Sequence, residues 1–468
     1  MAIETPHSPR GSAHGRGDQP ARTHWVDTLA VVVERIVPDA ITTSILLLVI
    51  LFVLAVSIDT PLATAMDAYY RGLWNLLAFT MQMTLILVLS LVLGATPFFT
   101  RIIISLSRLP KTSTQVVIGA SLCAAALAYF NWGLSIALSP VVAIHFAKEA
   151  ERKGLPVDFL FLFSTLAGVG SIWQFGLSGT APLLMATPGH FLEKTTGIMP
   201  LSTTIWSPAA IILVVTFTIA SIICGVVFMP KHRRPISQFT EADRSVDAVP
   251  DAAAAPPGGR TFAQQLEHSW LVMAPLAIML GAWLYTHFLV KNLSLDINAM
   301  NTLVLVLGVI LHRNVYNFTK ALRAAVALAW PIVVLYHLYA GVAGLLQFTP
   351  VGASLVNMFN PILTPYSYPL LIVVVSTIVS FFIPTSGGQW LIQGFVTVQA
   401  AEVVGATAQR GLLALSVGDH MGNLITPFWA VVGAGIAHVD FRLVFGYRLI
   451  FAALWFVMGV IAFTFLPC

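Results

Sequence analysis

Charge is what this sequence has least of. Only 9% of its 468 residues are Asp, Glu, Lys or Arg, against about 25% in soluble domains. That scarcity excludes a soluble globular protein. With 57% of positions hydrophobic, it leaves an integral membrane protein. Cysteine is nearly missing too. Cys123, Cys224 and Cys468 stand at no metal-ligand spacing, so neither a disulfide framework nor a metal site is indicated. Ten-residue alternating segments are lacking, which excludes an outer-membrane barrel, and apolar runs of helical period take their place. Neither Gly-x-Ser-x-Gly nor His-Glu-x-x-His occurs, which argues against an embedded hydrolase and predicts no enzyme. No cofactor is indicated, and a net charge of +4 does not require a nucleic-acid partner.

What is there is a series of oily segments. Those at 41–58, 207–229 and 444–466 reach the ~20 residues of a spanning helix. Residues 1–24, rich in Pro, Gly, Ser, His and Arg, predict a disordered cytoplasmic tail. The first apolar run, starting near Ile41, continues too far for a signal-peptide core, so no cleavage is expected. A polar stretch at 231–268 reads as a cytoplasmic linker between membrane halves at 25–230 and 269–468. The first half predicts spans at 40–58 and 74–99, a hairpin at 114–147, a broken helix at 158–190 and a span at 207–229. The second predicts spans at 270–290, 298–312 and 324–346, a hairpin at 368–405, a broken helix at 411–438 and a span at 444–466.

The hairpins follow from arm length. Residues 369–383 and 389–404 each give about 15 residues, or roughly 22 Å of helix, too short for a hydrocarbon core of ~30 Å. They are joined by Pro384-Thr385-Ser386-Gly387-Gly388, the worst helix formers of the region. Arms at 114–130 and 133–147, joined at Asn131-Trp132-Gly133, make the counterpart. Irregular backbone at membrane depth survives only when buried in protein or lining a polar cavity. The halves match in order: a tip, then Glu149 or Glu402 at the end of the return arm, then a polar break ending in Pro182 or Pro427. With the N-terminus inside, 20 of the 24 basic residues fall on the cytoplasmic side, leaving Arg71, Lys194, Lys291 and Arg410 outside. The positive-inside rule then orients the two hairpins oppositely. The expected fold is an all-α polytopic membrane protein of two inverted-topology repeats, each with a re-entrant hairpin and a broken transmembrane helix, as transporters show.

Four breaks at one depth would offer helix N-termini, hydroxyls and amides to a ligand. The substrate-binding candidates are Asn131, Trp132 and Gly133; Ser178, Gly179, Thr180 and Pro182; Thr385, Ser386, Gly387, Gly388, Gln389 and Trp390; and Asn423, Thr426 and Pro427. Asp419 and His420, ionisable within a membrane segment, join Asn131 and Asn423 as candidates for a co-transported Na⁺ or H⁺. No Lys or Arg occurs at 155–193 or 324–409, so no buried arginine clamp is expected. That favours a small monoanion over a dicarboxylate. Trp132, Trp173, Trp390 and Trp429 offer walls for a short apolar tail. Each feature has a plainer reading. A lone Pro or Gly marks a packing kink, a membrane hydroxyl bonds its own helix, and a Trp anchors the interface. Two matched pairs of breaks shift the balance toward a site, and His145 and His337 are read as structural.

Several stretches resemble the short-chain fatty acid transporters of bacterial inner membranes, within the broader ion-transporter superfamily. They are Gly72-Leu73-Trp74-Asn75-Leu76-Leu77-Ala78-Phe79 with Met81-Gln82-Met83, Asn131-Trp132-Gly133, and Leu177-Ser178-Gly179-Thr180-Ala181-Pro182. Pro384 to Gly394, Met421-Gly422-Asn423 and Pro427-Phe428-Trp429-Ala430 complete the set. The resemblance spans roughly residues 25–466. It implies symport of acetoacetate- or butyrate-like acids by an elevator-type movement, in a homodimer within the lipid bilayer. Another cargo, a dicarboxylate or a cation exchanged for protons, is the alternative. At the second tip the family pattern is nearer Pro-Ser-Gly-Gly-Gly-x-Trp with a His before the Trp; here Thr385, Ser386 and Gln389 depart from it.

Overall fold

The structure, a computed structural model, describes residues 40–245 and 261–467. The expected tail and the middle of the polar stretch lie outside those residues. Among the described residues every regular element is helical. The first half holds α1 (Ala40–Ser57), α2 (Leu62–Asn75), α3 (Leu77–Gly94), α4 (Pro97–Ser107), α5 (Ser113–Phe130), α6 (Trp132–Arg152) and α7 (Phe159–Val169). A 3-10 turn at Gly170–Phe175, α8 (Thr180–Met185) and α9 (Pro208–Val227) follow. The second half holds α10 (Trp270–Tyr285), α11 (Ile297–His312), α12 (Val315–Phe348), α13 (Val351–Phe359), α14 (Ser367–Phe382), α15 (Ser386–Val404), α16 (Ala408–Ile425), α17 (Pro427–Ile436) and α18 (Arg442–Phe465). Seven helical runs among the described residues are long and apolar enough to cross a membrane, so the protein is multi-pass.

Two bounds differ from the sequence reading, both because charge near a helix end was taken as loop. The span read as 74–99 is a near-continuous run from Leu62 to Gly94 that carries Asp67 and Arg71. The span read as 324–346 begins at Val315 and includes Lys320 and Arg323. Polar side chains at the end of a helix can reach headgroups or water, so they need not end it.

Local chemistry sets the breaks. Asn131 is extended and caps α6, its Oδ1 accepting from Leu134 N at 3.0 Å. Such a cap satisfies one of the amides a helix start leaves open. Thr112, Asp158 and Thr407 cap α5, α7 and α16 in the same way. Elsewhere, hydroxyls turn back on their own helices: Thr80 donates to Leu76 O at 3.1 Å and Ser164 to Leu160 O at 2.8 Å.

Packing divides the helices into two sets. The 34-residue α12 lies against α1, α2 and α3, with α10 and α11 beside them, forming a frame. The second set gathers α5–α9 and α14–α18 around α16 and α18. The sets meet where α3 and α4 touch α6, and where α12 and α13 touch α15. Both sets rely on small residues, which let helices approach closely where lipid offers no hydrophobic drive. A Cβ on Gly72 of α2 would sit 2.5 Å from the Cα of Gly344 on α12. On α16, a Cβ on Gly418 would sit 2.7 Å from Ser376 Cβ, and one on Gly422 2.7 Å from Ser380 Oγ.

The start of the polar stretch is docked. Arg234 pairs with the fully buried Asp158 at 2.9 Å, and its Nη2 donates to Tyr447 OH at 3.0 Å. Ser237 Oγ donates to Glu151 at 2.5 Å. The sequence reading of 231–268 as linker did not foresee this clamp between α7 and α18.

Candidate functional site

A cavity of about 180 Å³ opens among the breaks. That exceeds the roughly 10–15 Å³ a single water requires and falls below the roughly 300–1,000 Å³ of drug-sized sites. Trp132 reaches it from the α5–α6 break, Trp173 from the 3-10 turn and Thr180 from the start of α8. Thr385 and Ser386 line it from the α14–α15 break, and His420, Asn423 and Trp429 from around the α16–α17 break. Leu166, Ile136 and Ile332 give it apolar walls.

One chain of hydrogen bonds ties the halves together. Ser386 Oγ donates to Gln174 Oε1 at 3.0 Å, and Gln174 Nε2 donates to Asp419 Oδ2. The Asp419 carboxylate also takes Ser380 Oγ at 3.3 Å and Asn423 Nδ2 at 3.4 Å. All of its donors are neutral. The Asn423 Oδ1 accepts from Trp429 Nε1 at 3.2 Å, and the same indole reaches Pro384 O at 2.9 Å. The hydroxyls here face other elements, unlike the self-bonded ones of α3 and α7.

An arginine reaches the cavity after all. Arg448 enters from α18 with 6% exposure, and its Nη2 donates to Asn423 O at 3.3 Å. Its Nε has no partner, and among the described residues it forms no ion pair within 4.0 Å. The expectation of no buried arginine clamp is therefore corrected. The sequence signal was present, since Arg448 lies inside the apolar run that starts at Val444; counting it with the helix end hid it. Gln174 was missed for want of a partner in sequence, and Tyr336, on the cavity wall, because α12 was read as a plain span.

His420 stands edge-on between Trp173 and Trp455, at ring-centroid distances of 5.7 and 5.5 Å, with neither ring nitrogen bonded. Trp132 Nε1 and Asn131 Nδ2 are also buried without partners. Leaving such groups unpaired costs about 1–3 kcal/mol each. Of these, Trp132 lines the cavity with an indole N–H that only donates, and with the open side of Arg448 it suits an anion.

Of the residues singled out in sequence, Trp132, Trp173, Thr180, Thr385, Ser386, His420, Asn423 and Trp429 line the cavity. Others shape it from behind. Ser178 Oγ accepts from Trp132 N at 2.9 Å, and Asn131 caps α6. A Cβ on Gly133 would sit 2.6 Å from Ser90 Cβ, and one on Gly387 2.5 Å from Thr180 Cγ2. Gly388 packs against Tyr339. Gly179 and Thr426 precede α8 and α17, Pro182 is buried in α8, and Pro427 opens α17. Gln389 turns away, donating to Ser376 O at 2.7 Å, and Trp390 is wholly buried beside Gly394. Neither lines the cavity. Asp419 lies behind it, beneath Gln174 and Asn423. Among the described residues no group of three metal-ligating side chains exists.

The sequence profile described as "Short chain fatty acid transporter" matches residues 23–466. Two proteins provisionally named short-chain fatty acid transporters, from Escherichia coli (strain K12) and Haemophilus influenzae, are each 28% identical over 442 residues. Each alignment covers 92% of this chain and 97% of the relative. In fold, the chain is similar to the crystal structure of the Alcanivorax borkumensis YdaH transporter, whose topology was described as unusual. The TM-score is 0.55 at 13% identity, covering 91% of this chain and 98% of that one. A profile match over almost the whole length leads to one conclusion: the chain belongs to the short chain fatty acid transporter family.

Proposed function

We propose that the protein carries acetoacetate- or butyrate-like monocarboxylates across the bacterial cytoplasmic membrane, by symport with Na⁺ or H⁺. The observation that carries this reading is Arg448, buried at the wall of a small cavity with its Nε unpartnered. A guanidinium so placed offers a planar fork matched to a carboxylate, while Trp132, Trp173 and Leu166 suit a short apolar tail. A single cationic group fits one carboxylate better than two, which favours this cargo over dicarboxylates.

We read α5–α6 and α14–α15 as re-entrant hairpins whose tips meet at the cavity. The set of helices around α16 and α18 would move against the frame built on α12, as in an elevator. The distribution of basic residues supports a cytoplasmic N-terminus and oppositely oriented halves. Asp419, held by neutral donors, is our candidate for proton coupling, with His420, Asn131 and Asn423 nearest the cation path. A homodimer is part of the reading.

Uptake of radiolabelled butyrate and acetoacetate into proteoliposomes tests it, under an imposed Na⁺ gradient and an imposed proton gradient. Saturable accumulation driven by one of them identifies cargo class and coupling ion together. Correctly oriented protein that takes up neither acid under either gradient would sink the proposal and turn attention to dicarboxylates and cations.

A further inference from the structure

A second hollow, of about 930 Å³, opens between α4 and α5. On α4, Phe99, Ile102, Ile103 and Leu106 face it at helical spacing. On α5, Ile118, Leu122, Ala126 and Phe130 do the same. Phe146 of α6 and Leu307 of α11 also line it. The two helices therefore hold matching apolar faces apart along most of their length. From Gln115 to Phe130 the groove follows about 22 Å of helix, more than half the ~30 Å of a hydrocarbon core. Leu122 and Leu109 are 53% and 69% exposed, so no part of the described chain covers them.

Only one end is polar. Lys111 and Gln115 stand there, in and just after the α4–α5 turn. Arg108 belongs to that turn and Arg101 lies farther back on α4, which carries no acidic residue. Among the described residues the side chains of Arg101, Arg108 and Lys111 form no ion pair or hydrogen bond. The backbone there is fixed, since Lys153 Nζ donates to Arg108 O and to Pro110 O, at 2.5 and 2.9 Å.

We propose that this groove is a binding site for one anionic phospholipid, its acyl chain between α4 and α5 and its headgroup on Arg108 and Lys111. An apolar slot with two unpaired cations at one end complements an amphiphile with one negative head. A second copy of this chain would instead have to supply both an apolar ridge and acidic side chains. The site stands apart from the transport cavity and does not depend on the proposed cargo.

Native mass spectrometry of the detergent-purified full chain, titrated with phosphatidylglycerol or phosphatidylcholine, tests this. We expect one retained phosphatidylglycerol, and about a five-fold loss of its affinity for each cation neutralised in Arg108→Gln and Lys111→Gln. That factor is what ~1 kcal/mol per basic residue gives at an anionic surface. Phosphatidylcholine binding should barely change in those variants. Leu122→Trp, which adds bulk at an exposed position, should displace both lipids while leaving thermal unfolding in detergent unaltered. Equal retention of the two lipids in all variants overturns the proposal. So does a dimer that Leu122→Trp dissociates, which would assign the groove to a second copy.

Discussion

Replacing Arg448 with Gln gives the sharpest test of the transport site. The guanidinium is 6% exposed, forms one bond of 3.3 Å to Asn423 O and leaves its Nε open. Most of its hydrogen-bonding capacity therefore awaits a ligand. Truncating one partner of a buried, hydrogen-bonded charge pair costs about 2–5 kcal/mol, so substrate affinity should fall by roughly 30-fold to several thousand-fold. Folding should not suffer, because the substitution removes a buried charge with no ion partner. Arg448→Lys should recover only part of the loss, since an ammonium cannot reproduce the planar fork. Two assays separate the effects. Proteoliposome uptake of butyrate reports the apparent KM, and thermal unfolding reports binding directly. Ligand at 100 times the wild-type Kd should stabilise the wild-type protein by about 2.7 kcal/mol, and the Arg448→Gln protein by about 0.9 kcal/mol or less. Wild-type KM together with an intact ligand-induced shift would refute the assignment.

Other substitutions probe the surrounding structure. Gly387→Ala places a methyl 2.5 Å from Thr180 Cγ2 and 2.8 Å from Tyr336 OH. It should cost about 1–3 kcal/mol of stability and abolish uptake while membrane insertion, read by fractionation, stays normal. Gln174→Leu breaks the link between Ser386 and Asp419 and leaves both side chains short of a partner; we expect uptake to drop at least about ten-fold. Asp158→Ala removes the α7 cap and the ion partner of the one-third-exposed Arg234, which should cost about 1–3 kcal/mol and show as a lowered Tm in detergent. At the far end of α6, hydrogen bonding to Arg152 holds the Glu149 carboxyl below its ordinary 4.5, with Lys153 adding to the effect. A depressed carboxylate stabilises the fold above its unfolded pKa and loses that contribution as pH falls through the folded one. The acid limb of the unfolding profile, below about pH 4.5, should therefore be shallower in Glu149→Gln.

The helix breaks were legible because they are written in residues with local reasons to stop a helix. Arms read as 114–130 and 133–147 appear as Ser113–Phe130 and Trp132–Arg152, with Asn131 capping the second. Those read as 369–383 and 389–404 appear as Ser367–Phe382 and Ser386–Val404. What sequence did not reveal is which polar side chains share a space. Arg448 and Asn423 are 25 positions apart, and Gln174 and Asp419 are 245 apart. Their pairing depends on how α18 and the 3-10 turn lean on α16, which no local pattern records. Gln389 shows the opposite error. Three positions after Ser386, it should share that face of α15, but its amide is drawn off to Ser376 O on α14 at 2.7 Å, a partner the local pattern does not record.

The bond from Ser386 through Gln174 to Asp419 makes the two halves a single chemical object. Neither contains a finished site, so neither can drift alone. A substitution at position 174 changes what positions 386 and 419 can be, although they lie in the other half of the chain. Expressed as separate polypeptides, the halves would have to find each other before any binding surface existed. Reassembly on mixing would thus be readable as recovered binding, with no background from either fragment.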